Sequence, residues 1–176
     1  MSLKPSLAVP AVETERLLFA GHQLADFPDI VRLWADPVVT RFIGGKPCTE
    51  EQTWARFLRY AGLWTHLGFG YWVVREKASG RFVGEVGFAD FRRDMTPPMG
   101  DAPEAGWVLA PWSHGKGFAT EAVRAALAWR DGEIHAGRTR CIIGPENLAS
   151  IRVAEKCGFR EIARCVYMGP VVLFER

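Results

Sequence analysis

The turn His114-Gly115-Lys116-Gly117-Phe118-Ala119 constrains this chain more than any other segment, because of what flanks it. Glu104 to Ala110 reads as a strand stopped by Pro111, and Ala119 to Arg130 has the alanine-rich character of a good helix. A strand–turn–helix unit leaves the first amide hydrogens of the helix unpaired at the end of a sheet, with roughly half a positive charge there. Gly115 and Gly117 carry no side chains, so a phosphate can approach those amides closely. With Phe118, Ala119 and Thr120 they would form an anion nest, to which Lys116 and His114 can add charge.

Two other phosphate motifs fail at this position. A P-loop has Ser or Thr after Gly-Lys and a glycine five residues before that Gly, whereas here Gly117 follows and Ala110 precedes. A dinucleotide fingerprint wants Gly or Ala where Thr120 stands, and normally occupies an early βαβ unit.

The rest of the chain alternates helical and strand-like segments. Glu13 to Ala20 reads as a first strand, and Asp26 to Ala35 as a helix with Phe27, Ile30, Val31 and Trp34 on one face. Thr49-Glu50-Glu51-Gln52 is a capping box that opens a second helix carrying Trp54, Phe57, Leu58 and Ala61. Phe69 to Glu76 and Phe82 to Phe88 pair as a hairpin across Lys77-Ala78-Ser79-Gly80, and the proline-containing Arg92 to Pro103 is a loop. Thr139 to Ile143 is a strand. Asn147 to Cys157 is a short helix that Gly158 terminates, and Arg160 to Met168 and Val171 to Glu175 close the chain as strands. This order implies an α/β (α+β) sandwich with one mixed sheet.

The chain of 176 residues fits one domain over 1–176, with 1–12 as a flexible lead-in. Seven Trp and eleven Phe supply a core without disulfide staples. Cys48, Cys141, Cys157 and Cys165 form no CxxC pair and have no His at metal-ligand spacing, so no metal is expected and the thiols read as reduced. Leu3 to Val12 is too short and too interrupted by Pro5 and Pro10 for a signal peptide, and no stretch reaches the roughly 20 apolar residues of a membrane span. A cytoplasmic protein is therefore expected. A net charge of +2 gives no ground for a nucleic-acid or membrane partner.

His114 to Ala119 resembles the acyl-CoA-binding motif of the GNAT acetyltransferases, Gln/Arg-x-x-Gly-x-Gly/Ala. Gly117 and Ala119 match its last two defined positions, and His114 departs from the usual Gln or Arg. Thr120-Glu121-Ala122 continues the pattern of the branch similar to ribosomal-protein-alanine N-acetyltransferases. The segment Asn147 to Phe159 looks like that branch's Asn-x-x-Ser…Glu-Lys-x-Gly-Phe signature. Glu104 to Leu109 resembles its fourth strand, and Glu13 to Leu17 its opening strand. The likeness covers nearly the whole chain, and two spaced motifs are more specific together than apart.

The resemblance implies a GNAT-like single domain with a mixed central sheet of about six to seven strands, flanked by about four helices. Its central strands, 104–110 and 139–143, would run parallel and splay, with the pantetheine arm of acetyl-CoA in the gap. Backbone groups of Val108, Leu109 and Ala110 would pair with that arm like an added strand. The pyrophosphate would lie on His114, Gly115, Lys116, Gly117, Phe118, Ala119 and Thr120, and Asn147 and Ser150 would hold coenzyme A near the pantetheine.

Acetyl transfer to an amine needs a neutral nucleophile, and amine pKa values of about 7.7–8.0 (α-amino) or 10.4 (lysine-like) require a proton to leave first. Glu104, at the start of the cofactor-lining strand, and Glu85, in the otherwise apolar Val83-Gly84-Glu85-Val86-Gly87, are the candidate bases. A backbone amide near Val108 or Leu109 would hold the oxyanion. Many family members carry a Tyr seven residues after the motif Asn. Here that position is Ala154, and Ser150 is the candidate donor to the leaving thiolate. The acceptor would be a primary amine, on a protein N-terminus or a small molecule; a homodimer is compatible with the sequence. The rival reading is a catalytically silent acyl-CoA-binding sensor or scaffold. A nucleotide-binding protein using the same glycine turn is a third.

Overall fold

The computed structural model describes residues 9–133 and 137–176. Most of the expected lead-in, residues 1–8, lies outside the described residues, as does His135. Residues 9–12 are anchored, since Trp72 Nε1 donates to the Pro10 carbonyl at 2.8 Å and Val9 packs onto the core.

The described chain forms one eight-stranded mixed sheet in the order β1-β2-β3-β4-β5-β6-β8-β7. The strands are β1 (Val12–Glu13), β2 (Leu17–Ala20), β3 (Tyr71–Glu76), β4 (Phe82–Ala89), β5 (Glu104–Leu109), β6 (Arg140–Ile143), β7 (Arg160–Val166) and β8 (Pro170–Glu175). The helices are α1 (Phe27–Trp34), α2 (Pro37–Thr40), α3 (Glu50–Leu67), α4 (Phe118–Glu133) and α5 (Leu148–Lys156). The single strand expected over 13–20 is two short strands paired antiparallel, Val12 with Phe19 and Glu13 with Leu18. The break falls where Thr14 N–H donates to the Leu17 carbonyl at 3.0 Å and closes a tight turn. That turn raises the strand count to eight, and the turn of helix at α2, started by Asp36 capping Val38 N–H, adds a fifth helix.

Local signals fix the helix ends. Thr49 and Gln52 form the reciprocal capping box of α3, which Gly68 ends in a left-handed conformation. Gly158 does the same after α5, with φ +87°.

The sheet has two differently furnished faces. One carries Val86, Phe88, Ala105 and Leu109 against Phe118, Ala122, Val123, Ala126 and Leu127 of α4, in the largest apolar cluster. Trp72 is fully buried there among Phe19, Trp64, Phe88 and Trp129. Burying such a ring stabilises the fold by about 2–3 kcal/mol. The other face, toward α1 and α3, carries Val73, Val108 and Tyr71 together with Glu85 and Glu104.

An extra residue, Val83, bulges from β4: Val74 pairs with Gly84 and Arg75 with Phe82. At Gly84 a Cβ would stand 2.2 Å from the Val108 carbonyl oxygen, so only glycine allows β4 and β5 to approach there.

Among the described residues no helix is long and apolar enough to cross a membrane, and no cluster of His, Cys, Asp and Glu has a metal-site arrangement. The four cysteines are free, with Cys141, Cys157 and Cys165 buried and Cys48 half-buried.

Candidate active site

The sheet opens in its middle. β5 and β6 run parallel, joined through α4, and share one registered pair, Glu104 with Arg140. Arg140 N–H donates to the Pro103 carbonyl at 3.0 Å, and no further pair is registered toward Leu109 and Ile143. On its other side β5 is fully zipped to β4, from Ala89–Glu104 to Gly84–Leu109.

This register decides which backbone groups face the gap. Ala110 N–H donates to the Val83 carbonyl at 2.8 Å, so the even-numbered residues of β5 direct their N–H and C=O groups at β4. Those of Ala105, Trp107 and Leu109 face β6. Of the three residues expected to pair with a bound arm, Leu109 borders the gap together with Trp107, whereas Val108 pairs into the β4 ladder and Ala110 turns its N–H to Val83 and its carbonyl to Ser113. The Leu109 carbonyl accepts a hydrogen bond from His114 Nε2 at 2.9 Å, so the ring at the start of the glycine turn closes over the end of the strand.

Past β5, the short 3₁₀ turn Pro111–Ser113 leads into the glycine run. Gly115 and Gly117 have φ values of +75° and +79°, which side-chain-bearing residues adopt only under strain. Among the described residues the N–H groups from Gly115 to Thr120 have no backbone acceptor, and the α4 ladder begins with Glu121 N–H donating to the Gly117 carbonyl. Lys116 Nζ lies 4.7 Å from the centroid of Trp112, and the Phe118 ring is buried, T-shaped against Trp112. Phe118 thus anchors the helix start while the backbone amides of Phe118, Ala119 and Thr120 point out of it.

The β1–β2 turn braces this nest. Arg16 NH1 donates to the Lys116 carbonyl at 3.0 Å, and its Nε donates to Glu121 at 2.7 Å. Thr14 Oγ1 donates to the same carboxylate at 2.6 Å. Burial pushes the Glu121 carboxyl up, but these bonds and the Arg16 charge outweigh it and hold the group below its ordinary range.

α5 begins just beyond the end of β6, at the wide end of the gap. Asn147 caps it, Oδ1 accepting from Ser150 N–H at 3.2 Å. Ser150 is half-buried, and its hydroxyl has no hydrogen-bond partner among the described residues.

The two candidate carboxylates lie on the α1/α3 face and are both engaged. Glu104, at the narrow end of the gap, accepts a bidentate pair from Arg93, Nε at 2.6 Å and NH2 at 2.7 Å. Burial works against the Arg93 charge, and the bonds to Glu104 outweigh it and raise its pKa. Glu85, opposite Val108 across the ladder, is fully buried. His22 Nε2 meets one of its oxygens at 2.7 Å, and Trp34 Nε1 donates to the other at 2.8 Å. The His22 ring lies against Tyr60 and Phe57, with centroids 5.1 and 5.9 Å away.

Sequence reasoning assigned no role to His22, Trp34, Arg93 or Tyr71. Only the apolar surroundings of Glu85 in its strand signalled that a buried carboxylate there requires donors; which residues supply them depends on a register that crosses three strands. The segment 41–47 follows α2, with Arg41 over the Phe42 ring and left-handed Gly44 and Gly45.

Residues 16–160 match the family model described as the acetyltransferase (GNAT) domain. A curated relative is the YkkB protein of Bacillus subtilis (strain 168), 31% identical over 82% of this chain and 81% of its own length. A GnaT-family acetyltransferase structure from Bordetella pertussis superposes with a TM-score of 0.84, covering 96% of this chain and 99% of that one at 31% identity. The fold is also that of the ribosomal L7/L12 α-N-protein acetyltransferase solved in complex with coenzyme A. That match has a TM-score of 0.74 at 14% identity, covering 95% and 97% of the two chains.

Proposed function

The chain belongs to the GNAT acetyltransferase family, and on that premise we propose that it transfers an acetyl group from acetyl-CoA directly to a primary amine. The observation that carries this reading is the continuity of the gap beside β5 with the unbonded amides of Gly115 to Thr120. A strand edge that ends in an anion nest suits a ligand with an amide-bearing arm joined to a pyrophosphate. The backbone of Trp107 and Leu109 pairs with the arm, and the nest with Lys116 takes the phosphates. His114 positions the strand end, and Asn147 and Ser150 flank the arm from α5.

In the transfer, the amine nitrogen attacks the thioester carbonyl carbon while backbone N–H groups of β5 stabilise the oxyanion. Glu104 receives the amine proton through water, because a carboxylate keeps acceptor sites beyond the pair that Arg93 uses. Ser150 offers its hydroxyl to the sulfur. Glu85 is the alternative base, deeper in the face. The acceptor is a primary amine on a protein N-terminus or on a small molecule, and the segment 41–47 together with the loop after β4 contributes to its choice.

One observation favours a second reading, an acyl-CoA-binding module without turnover: both carboxylates already have two donors each. Titration calorimetry with acetyl-CoA, followed by thiol release from acetyl-CoA across a panel of peptides and small amines, separates the two. Binding with turnover supports the enzyme, binding without turnover the module, and absence of binding removes both.

A further inference from the structure

The same face holds a phenol that neither the sequence motifs nor the proposed chemistry use. Tyr71, at the start of β3, faces Gly87 of β4, which in turn faces Gly106 of β5. Both are glycine for a steric reason. A Cβ on Gly87 would stand 2.4 Å from Tyr71 Cα, and a Cβ on Gly106 would stand 1.9 Å from Tyr71 Oη. The ring therefore lies in a trough cut across β4 and delivers its hydroxyl to the middle of β5, one residue from Trp107 and beside the gap. Tyr60 stacks on it from α3, with centroids 4.5 Å apart and planes 12° from parallel, which fixes its direction.

This hydroxyl has no hydrogen-bond partner among the described residues. It is also not one of the sealed, partnerless side-chain atoms, which there are Arg56 Nε, Arg130 Nε and Thr139 Oγ1. A phenol in a 5% exposed residue, without a protein partner yet reachable, is placed to meet a ligand.

Resting on the acetyl-transfer reading, we propose that Tyr71 is a catalytic residue that donates its phenolic proton to the thioester sulfur as the C–S bond breaks. The nitrogen lone pair forms the C–N bond, and the C–S bonding pair moves onto sulfur. Sulfur takes the Tyr71 proton, and the proton that Glu104 received from nitrogen passes through water to the phenolate, so both residues are regenerated without another reactant. Burial, then the neighbouring Tyr60 and Glu104, push the Tyr71 hydroxyl well above its ordinary value against the opposing Arg93 and Arg56 charges. It is thus a donor throughout the neutral range. In this geometry Ser150 supplies a hydrogen bond from the α5 side, and Tyr71 supplies the proton.

The test is Tyr71→Phe, which keeps the ring in its trough. With the best acceptor from the panel, kcat is expected to fall about 100-fold while the KM for acetyl-CoA changes little. Wild-type kcat in the variant overturns the proposal and leaves the acetyltransferase reading intact. Absence of turnover in the wild type removes that reading instead, and a binding arm then decides Tyr71 by itself. Coenzyme A should bind wild type more tightly than desulfo-coenzyme A, and Tyr71→Phe should reduce that preference to what Ser150 alone supplies. A preference equal in both proteins overturns the proposal.

Discussion

Arg16 holds Glu121 twice, its backbone N–H donating to Oε1 at 3.1 Å and its guanidinium Nε to Oε2 at 2.7 Å, so the first β-turn clamps the first turn of α4. The same guanidinium bonds the Lys116 carbonyl, and it therefore orients the glycine nest from outside. Because the folded-state pKa of Glu121 is lowered, its stabilising contribution is complete above the ordinary carboxylate value of 4.5 and is lost as pH falls through the lowered one. Glu121→Gln should melt below wild type at about pH 7, and the two melting temperatures should converge toward about pH 3. Parallel melting curves across that range would show that the clamp contributes nothing through its charge.

Two glycine substitutions separate charge from strain in the nest. Gly117→Glu places a carboxylate among the amides and should weaken acetyl-CoA binding about 100-fold by calorimetry. Gly115→Ala adds a methyl group where nothing lies within 4 Å, at φ +75°. It should cost about 1 kcal/mol of stability and leave affinity within a few-fold. Equal affinity losses in the two variants would make the loop's conformation, not its anion chemistry, the determinant.

Ser150→Ala should reduce kcat about tenfold, the loss of one hydrogen bond of about 1.4 kcal/mol to the departing sulfur. The Asn147 cap uses the Ser150 N–H, not its hydroxyl, so α5 should melt unchanged. Steady-state kinetics with the true acceptor checks it, and full kcat would remove Ser150 from the transfer step.

The His22–Glu85–Trp34 group gives a prediction about stability. Glu85→Ala leaves the Trp34 N–H and the His22 ring unpaired in a fully buried site. The expected cost is about 3 kcal/mol, a fall of roughly 6–12 °C in melting temperature. Glu85→Gln, which keeps the shape and an acceptor, should lose less. Should Glu85→Gln abolish turnover without any thermal shift, Glu85 would replace Glu104 as the base.

The parts of this fold that a single segment specifies were legible in the sequence. Thr49 and Gln52 announced α3, Gly158 announced the end of α5, and the run from Pro111 to Ala119 announced a strand–turn–helix. The GNAT resemblance went further and implied the parallel, splayed pair at the centre. The readings that fell short depend on contacts between distant segments. The turn at Thr14–Leu17 splits one apparent strand into two, because the polar run Glu13 to Arg16 folds back where Thr14 N–H bonds the Leu17 carbonyl and Leu17 N–H bonds the Thr14 hydroxyl. Which residues of β5 face the gap follows from the ladder with β4, and a shift of one residue exchanges Val108 for Trp107. His22 is 63 residues from Glu85, and no local pattern links them. Gly87 and Gly106 stand in one row beneath Tyr71 only through the register of three strands, which no local pattern carries.

The single pair between β5 and β6 has one more consequence. A sheet usually exposes unpaired strand edges only at its margins, where they invite other chains to add on. Here two such edges lie in the interior, screened on one face by the α4 crossover and narrowed to closure at Glu104 and Arg140. A stray β-strand carries side chains on both of its faces and needs parallel room along its length, which a wedge does not offer. A thin, linear, amide-bearing chain needs neither. The wedge thus acts as a size filter, open to a slender guest and closed to the self-association that an unpaired edge would otherwise promote.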